Sequence, residues 1–278
     1  MIVLVTDSTA YLTAAEAASL GVMVLPMTYS VDANAPINER YVDDNGDFER
    51  LIRENPTTLR TSQVPCARFQ QAFEELTRSG HQVLCLTMSS RLSGTFANAL
   101  TAARELPGAP IRVVDSLTTA AGLYLLVREA RSLLFRGATI DEAADRLLQM
   151  RKQAYTYFSV DDMEPLRRSG RLGGIKQSVS TILNLRPMLK CEDGSILSYA
   201  VVRGQNEQRR ALVKAVPENV GQSVVVEHLM ADERALKLAN ALREQGKAVE
   251  MRKVGPVLGI HLGIGCLGVS WIGDKPNL

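Results

Sequence analysis

Val83-Leu84-Cys85-Leu86-Thr87-Met88-Ser89-Ser90-Arg91-Leu92-Ser93-Gly94-Thr95 is the stretch that decides the fold. Its first five residues form a short apolar run of the length of one buried strand. The next residues are rich in hydroxyls. Phe96, Ala99, Leu100 and Ala103 then fall at i, i+3, i+4 and i+7, the period of a helix with one apolar face. Strand, polar loop and helix follow one another here, and the pattern recurs on either side. Ile2–Val5 and Val22–Met27 are apolar runs separated by an alanine-rich helical segment, and Ile111–Asp115 is another run. Phe69, Ala72, Phe73 and Leu76 carry a second helical stripe, and Ile140, Ala143, Ala144, Leu147 and Leu148 a third. Thr139 with Glu142 predicts a capping box, and Gly80 and Gly137 predict helix ends. Apolar runs alternating with helices predict parallel strands, so residues 1–152 form a doubly wound α/β domain.

Residues 153–278 predict a smaller α/β domain. Strands are expected at Tyr155–Val160, Met188–Glu192 and Ile196–Val202, the last two joined through Asp193-Gly194, a hairpin turn signal. Helices are expected near Asn206–Ala215 and Asp232–Gln245, and strands near Val249–Val254 and Leu267–Ile272. The sequence contains neither an internal repeat nor a low-complexity linker, so the two domains should pack closely.

Ligands of open parallel sheets sit beyond the carboxyl ends of the strands. Four hydroxyl-rich loops are candidates: Thr6-Asp7-Ser8-Thr9, Ser89 to Thr95, Asp115-Ser116, and Thr61-Ser62-Gln63 ahead of Pro65, which suits a helix start. Hydroxyls and free N–H groups at helix N-termini hold an anion without a metal. The bland alternative is that each Ser or Thr only caps its own helix. Four loops converging on one sheet edge favour a site. Gly255-Pro256-Val257-Leu258-Gly259-Ile260-His261-Leu262-Gly263 is glycine-dense but lacks the Lys-Ser/Thr of a phosphate loop. His261 stands among apolar residues, where a histidine is usually part of the core. Its titration range still makes it a candidate.

Charge is uneven. Residues 165–214 hold ten basic side chains (Arg167, Arg168, Arg171, Lys176, Arg186, Lys190, Arg203, Arg209, Arg210 and Lys214) and three acids (Glu192, Asp193 and Glu207). The rest of the chain holds 22 basic and 27 acidic residues, so this contrast points to an anionic partner. The overall charge of +2 argues against a nucleic-acid coat, and 5% aromatics argue against base-stacking platforms. No apolar stretch of about 18 residues suggests a membrane span, and the N-terminus lacks the basic region of a signal peptide. Cys66, Cys85, Cys191 and Cys266 are widely spaced and suit free thiols in a reducing cytoplasm. With three histidines and no Cys-x-x-Cys, neither a metal site nor a cofactor is expected.

These motifs together resemble the DegV family of bacterial fatty-acid-binding proteins, collinearly along essentially the whole chain. Val3-Leu4-Val5-Thr6-Asp7-Ser8-Thr9-Ala10 is similar to the family's opening strand and turn, and Arg60-Thr61-Ser62-Gln63 to its Thr-Ser-Gln loop. Ser89 to Thr95 resembles its most specific motif, Leu166 to Leu172 its Leu-x-x-x-Gly-Arg element, and Gly255 to His261 its C-terminal signature. The resemblance implies a Rossmann-like N-terminal domain, a smaller α/β C-terminal domain and one buried long-chain fatty acid. It places the carboxylate at Thr61, Ser62, Ser93, Gly94 and His261, and gives Arg171 and Arg203 a role facing a fatty acid kinase. That kinase would phosphorylate the bound carboxyl group, and the acyl phosphate would feed phospholipid synthesis, with transient membrane contact and no nucleic acid involved. Ala120, Gly122, Leu123 and Tyr124 stand where the family commonly has Ser and Gly-Gln-Gly, and Ile264 where it often has Pro. These changes leave the polar anchor intact and leave the preferred acyl chain open. The rival function is a hydrolase or acyl-transfer enzyme with Ser93 as nucleophile and His261 as base. The sequence offers it no Gly-x-Ser-x-Gly elbow and no evident orienting acid.

Overall fold

The computed structural model describes residues 1–32, 34–173 and 184–277. Lys176 of the basic segment lies outside the described residues. The first half runs β1 (Ile2–Asp7), α1 (Ala14–Leu20), β2 (Val22–Leu25), β3 (Met27–Val31), β4 (Ile37–Glu39), α2 (Phe48–Glu54), β5 (Leu59–Ser62), α3 (Cys66–Arg78), β6 (Gln82–Thr87), α4 (Thr95–Arg104), β7 (Ile111–Asp115), α5 (Ala120–Phe135) and α6 (Ile140–Met150). The second half runs β8 (Ala154–Ser159), α7 (Glu164–Ser169), β9 (Leu185–Glu192), β10 (Ser195–Arg203), α8 (Gly204–Ala215), β11 (Val224–His228), α9 (Asp232–Glu244), β12 (Val249–Lys253), α10 (Pro256–Leu262) and β13 (Leu267–Ile272).

Three sheets result. A four-stranded parallel sheet has the order β2-β1-β6-β7, as the alternating runs predict. A six-stranded mixed sheet has the order β10-β9-β8-β13-β11-β12. The third, β4-β3-β5, is antiparallel and corrects the expectation of a single strand over residues 22–27. Pro26 follows β2 and supplies no N–H to continue the ladder. The chain leaves the parallel sheet there, and the Met27 N–H donates to Ser8 Oγ at 3.1 Å. The Thr139 capping box forms, and Asp193 and Gly194 both take positive φ, as a two-residue hairpin turn demands. β11, α5 and α10 were not expected. The β11 sequence Val-Val-Val-Glu-His ends in two titratable residues, yet all five positions are buried.

Alternation along the six-stranded sheet divides its two faces between two cores. Val224 and Val226 of β11, with Leu267, Val269 and Trp271 of β13, face Leu212 of α8 and Leu238 of α9. Val225 and Phe158 point the other way, into the core that also contains Leu4, Leu84 and the buried side of α5. Helix α5 therefore lies between the parallel sheet and the mixed sheet, and one apolar core spans both halves of the chain. At its start the Ala121 N–H donates to Glu227 of β11 at 2.8 Å. A second tie joins the halves at the hairpin, where the Ser89 hydroxyl donates to the Gly194 carbonyl at 2.8 Å. Among the described residues no helix is long and apolar enough to cross a membrane.

Gly122 sets the approach of α5 to β8. A Cβ there would collide with the Thr118 hydroxyl and come within 3.0 Å of Thr156 Oγ1. Overpacking of this kind costs about 1–3 kcal/mol. Gly122→Leu should therefore lower the melting temperature by roughly 2–12 °C. An unchanged transition in calorimetry would show that α5 is not held at this distance.

Candidate functional site

A cavity of about 270 Å³ opens where the two halves meet. The end of β5 brings Thr61 and Ser62, with Gln63 just beyond, and the loop ahead of α4 brings Leu92 and Ser93. Helix α10 contributes Val257, Leu258, His261 and Leu262. Met27, Met88, Leu166 and Ile196 complete the apolar wall, and Arg171, just past α7, is the one charged side chain among the described lining residues. Thr61 Oγ1 and His261 Nε2 are hydrogen-bonded at 2.8 Å across 200 positions of sequence. The Ser93 hydroxyl pairs with Thr95 Oγ1 at 2.9 Å and accepts from the Thr95 N–H at 3.3 Å. Ser93 thus bonds to the first residue of α4 and also faces the cavity.

The structure brings together Thr61, Ser62, Ser93, His261 and Arg171. It leaves out Gly94 and Arg203. Gly94 is not among the lining residues, and its missing Cβ leaves room for the Gln63 side chain, whose Cδ lies within 2.9 Å of where that atom would be. Arg203 is exposed at the far end of β10. It lies seven residues beyond Ile196, about 23 Å along an extended strand.

Only two of the four hydroxyl-rich loops supply the cavity. Asp7 accepts from Thr9 Oγ1 (2.6 Å), from the Thr9 N–H (3.0 Å) and from the Met88 N–H (2.7 Å), so that loop is closed on itself and on β6. Asp115 accepts from the Ser90 and Leu117 N–H groups, both at 3.1 Å, and Ser116 bonds to the backbone of Thr118. β5, which carries Thr61, belongs to the antiparallel sheet rather than to the parallel edge. The basic excess is likewise dispersed over α7, β9, β10 and α8, with Arg186 held by Asp161 and Lys190 by Glu192 at 2.8 Å.

Helix α10 is set in place by a buried polar relay that the sequence did not signal. The Val257 N–H donates to Glu39 Oε2 at 2.6 Å, and the Leu258 N–H donates to the Tyr11 hydroxyl at 3.0 Å. Glu39 Oε1 accepts from Ser8 Oγ at 2.9 Å. The first loop of the chain thereby fixes the helix that carries His261. Burial pushes the Glu39 carboxyl up to about 7, and does the same to Glu227.

Burial, with Arg171 and Arg168 adding positive charge nearby, pushes His261 down to about 4. The imidazole is neutral at physiological pH and acts as a hydrogen-bonding group. Its Nε2 is engaged by Thr61, and among the described residues no carboxylate bonds to its ring. A Ser-His-acid relay is not assembled here. The unusual positions Ala120, Tyr124 and Ile264 are absent from the described cavity wall. Tyr124 instead donates to Glu250 at 2.9 Å and lies under the Arg252 guanidinium, 3.8 Å from the ring centroid.

The fold and site define an α/β protein of three sheets with a cavity lined by apolar side chains, hydroxyls and a neutral histidine. A family model described as an uncharacterised protein of the DegV family matches residues 1–274. A DegV domain-containing protein of Halalkalibacterium halodurans is 32% identical over 99% of both chains. A fatty acid-binding protein of Thermotoga maritima is 30% identical over 85% of both. Among solved structures, a fatty-acid-binding DegV family protein from Thermus thermophilus superposes with a TM-score of 0.84 at 28% identity, covering 98% of this chain and 99% of that one. A DegV lipid binding protein from Thermotoga maritima gives 0.87 at 26%, covering 99% of each. The chain belongs to the DegV family.

The raised carboxyls have a consequence for stability. Between about pH 4.5, the ordinary glutamate value, and about pH 7 the folded state keeps protons on Glu39 and Glu227 that the unfolded chain releases. Their contribution to stability is therefore largest below this window and declines as pH rises through it. Glu39→Gln keeps the shape and removes the titration. Urea unfolding at pH 5 and pH 8 should show a smaller loss in the variant than in the wild type, by up to about 3 kcal/mol. Equal losses would show that Glu39 ionises as freely as in water.

Proposed function

We propose that this protein binds one long-chain fatty acid in the cavity and presents its carboxyl group to a fatty acid kinase. The observation that carries this is the mixed lining of the cavity: the hydroxyls of Thr61, Ser62 and Ser93 and neutral His261, set among Met27, Met88, Leu166, Ile196, Val257 and Leu258. Burying a methylene gains about 0.8 kcal/mol, so a 16-carbon chain offers roughly 11 kcal/mol before ordering costs. The carboxylate must then find donors, or its desolvation cancels much of that gain. Hydroxyls meet the need without a full counter-charge. The cavity lies just below the usual range of about 300–1,000 Å³ for small-molecule sites. A long chain must displace side chains, and Met27 and Met88 are the adaptable ones.

In the same proposal Arg171 and Arg203 face the kinase, whose product, the acyl phosphate, feeds phospholipid synthesis from the cytoplasm. Related DegV proteins are described as fatty-acid-binding, which supports the ligand assignment. The kinase partnership rests on the family resemblance and on the exposure of both arginines.

Protein purified from a bacterial host should release near-stoichiometric fatty acid on extraction and mass spectrometry. Thr61→Ala and Ser93→Ala each leave the carboxylate short of a donor, at roughly 1.5–3 kcal/mol, and should weaken binding about ten- to a hundredfold. Normal titrations in both would remove the hydroxyls from the site. A preparation that carries no fatty acid and binds none when offered it would end the carrier proposal.

Arg171→Ala and Arg203→Ala should stay folded and keep the fatty acid, yet lose acyl-phosphate formation with the cognate kinase. Undiminished phosphorylation in both would refute the docking role. Loss of fatty acid from Arg171→Ala would move that residue into the ligand's own site.

A further inference from the structure

By the reading above, a long acyl chain must displace side chains from a cavity of about 270 Å³, so whatever fixes the walls decides how far the space can grow. Two of the walls are fixed to each other through one side chain. Glu39 ends β4 and lies opposite Met27 in the antiparallel ladder. Met27 lines the cavity from β3, and Val257 and Leu258 line it from α10. One Glu39 oxygen accepts from the Val257 N–H at 2.6 Å. The other accepts from the Ser8 hydroxyl at 2.9 Å, and Ser8 Oγ accepts in turn from the Met27 N–H at 3.1 Å. An unbroken run of hydrogen bonds thus joins Met27 to Val257 behind the lining, and neither Ser8 nor Glu39 lines the cavity itself.

Glu39 is placed there against its own chemistry. Ile37 and Asn38 of the same strand are exposed, whereas Glu39 is buried. Among the described residues no cation pairs with its carboxyl, which is held by neutral donors. Burying an acid in this way opposes folding, so the effect of the residue lies in where it puts α10. The fit at that helix start is close. A Cβ on Gly255 would collide with the Tyr11 ring and come within 3.0 Å of Glu39 Oε2. The next N–H, of Leu258, donates to the Tyr11 hydroxyl at 3.0 Å. The start of α10 is already seated against Tyr11 and cannot move further in. It can only move out, and the Glu39 carboxyl opposes that.

We propose that Glu39 is a specificity-determining positioning residue: by tying Met27 to α10 it limits how far the cavity widens, and so how long an acyl chain the protein accepts. The proposal rests on the fatty-acid reading above. It assigns the selection of chain length to a residue that never touches the chain and acts through the walls that do. Adaptable Met27 and Met88 side chains can make room within the limit, and the Glu39 tie sets the limit.

Myristate, palmitate and stearate are titrated against the full-length protein and its variants, and the ratio of stearate to myristate affinity is read. In Glu39→Asp the carboxyl is one methylene shorter. Helix α10, seated against Tyr11, cannot follow it, so the bond to Val257 is lost and the wall yields. The ratio should rise at least about fourfold, the value of one buried methylene. Glu39→Gln keeps the length and an acceptor for Val257, and should keep the wild-type ratio. Ser8→Ala leaves the Val257 bond in place but frees the Met27 end, and should raise the ratio in the same direction. It carries the test if Glu39→Asp does not fold. A merely structural role would lower the melting temperature and all three affinities together and leave the ratio alone. An unchanged ratio in folded Glu39→Asp and Ser8→Ala, or a shift towards myristate, overturns the proposal. So does an equal rise in Glu39→Gln, which would make charge rather than length the cause. Wild-type protein that binds none of the three acids defeats the carrier reading instead.

Discussion

The first two turns of helix α5 are stripped of water on every side, and most of the architecture follows from that burial. Residues 120–127 are all buried, with Ala130 beyond them. A stretch of helix apolar all round cannot rest on a surface and belongs inside a larger core. Here it takes the parallel sheet on one side and β8, β11 and β13 on the other. Each sheet covers what the other leaves exposed, and the cavity forms along the seam where the two halves meet.

The same economy governs the polar groups. Asp7, Asp115 and Ser116 hold loops together and do not line the cavity. Glu39 and Glu227 are buried carboxyls that each accept from an N–H at the start of a helix, α10 and α5 respectively. The partial positive charge of a helix N-terminus offsets part of the cost of burying them. Thr61 and His261 remain as a pair with one face towards apolar wall and the other towards guanidinium groups.

Much of this could be read from the residues. Alternating apolar runs predicted the parallel sheet, and Asp193-Gly194 predicted the hairpin, because those signals are local. Thr61, Ser93 and His261 were legible through resemblance to a family, since no spacing rule links positions 61 and 261. The signals that failed were non-local. The first half of helix α5, residues 120–127, carries no amphipathic stripe because it is buried all round. Glu39 looks like an ordinary acid on a short exposed strand, and only the fold reveals that it holds α10. The four hydroxyl loops looked alike in sequence, and which of them was free for a ligand depended on partners elsewhere in the chain.

The contact between Ser89 and the hairpin tip bears on how such proteins can be recombined. A Cβ on Gly194 would collide with the Ser89 hydroxyl, so the two backbones are seated against each other without slack. Ser89 opens the loop that ends in Ser93, and two residues past Gly194 the chain supplies Ile196 to the cavity wall. The tip and the loop therefore behave as one inherited block. A chimera that takes its first half from one relative and its second half from another would splice through this contact and shift both walls of the cavity at once. Viable crossovers should carry residues 89–95 and 193–196 from the same parent.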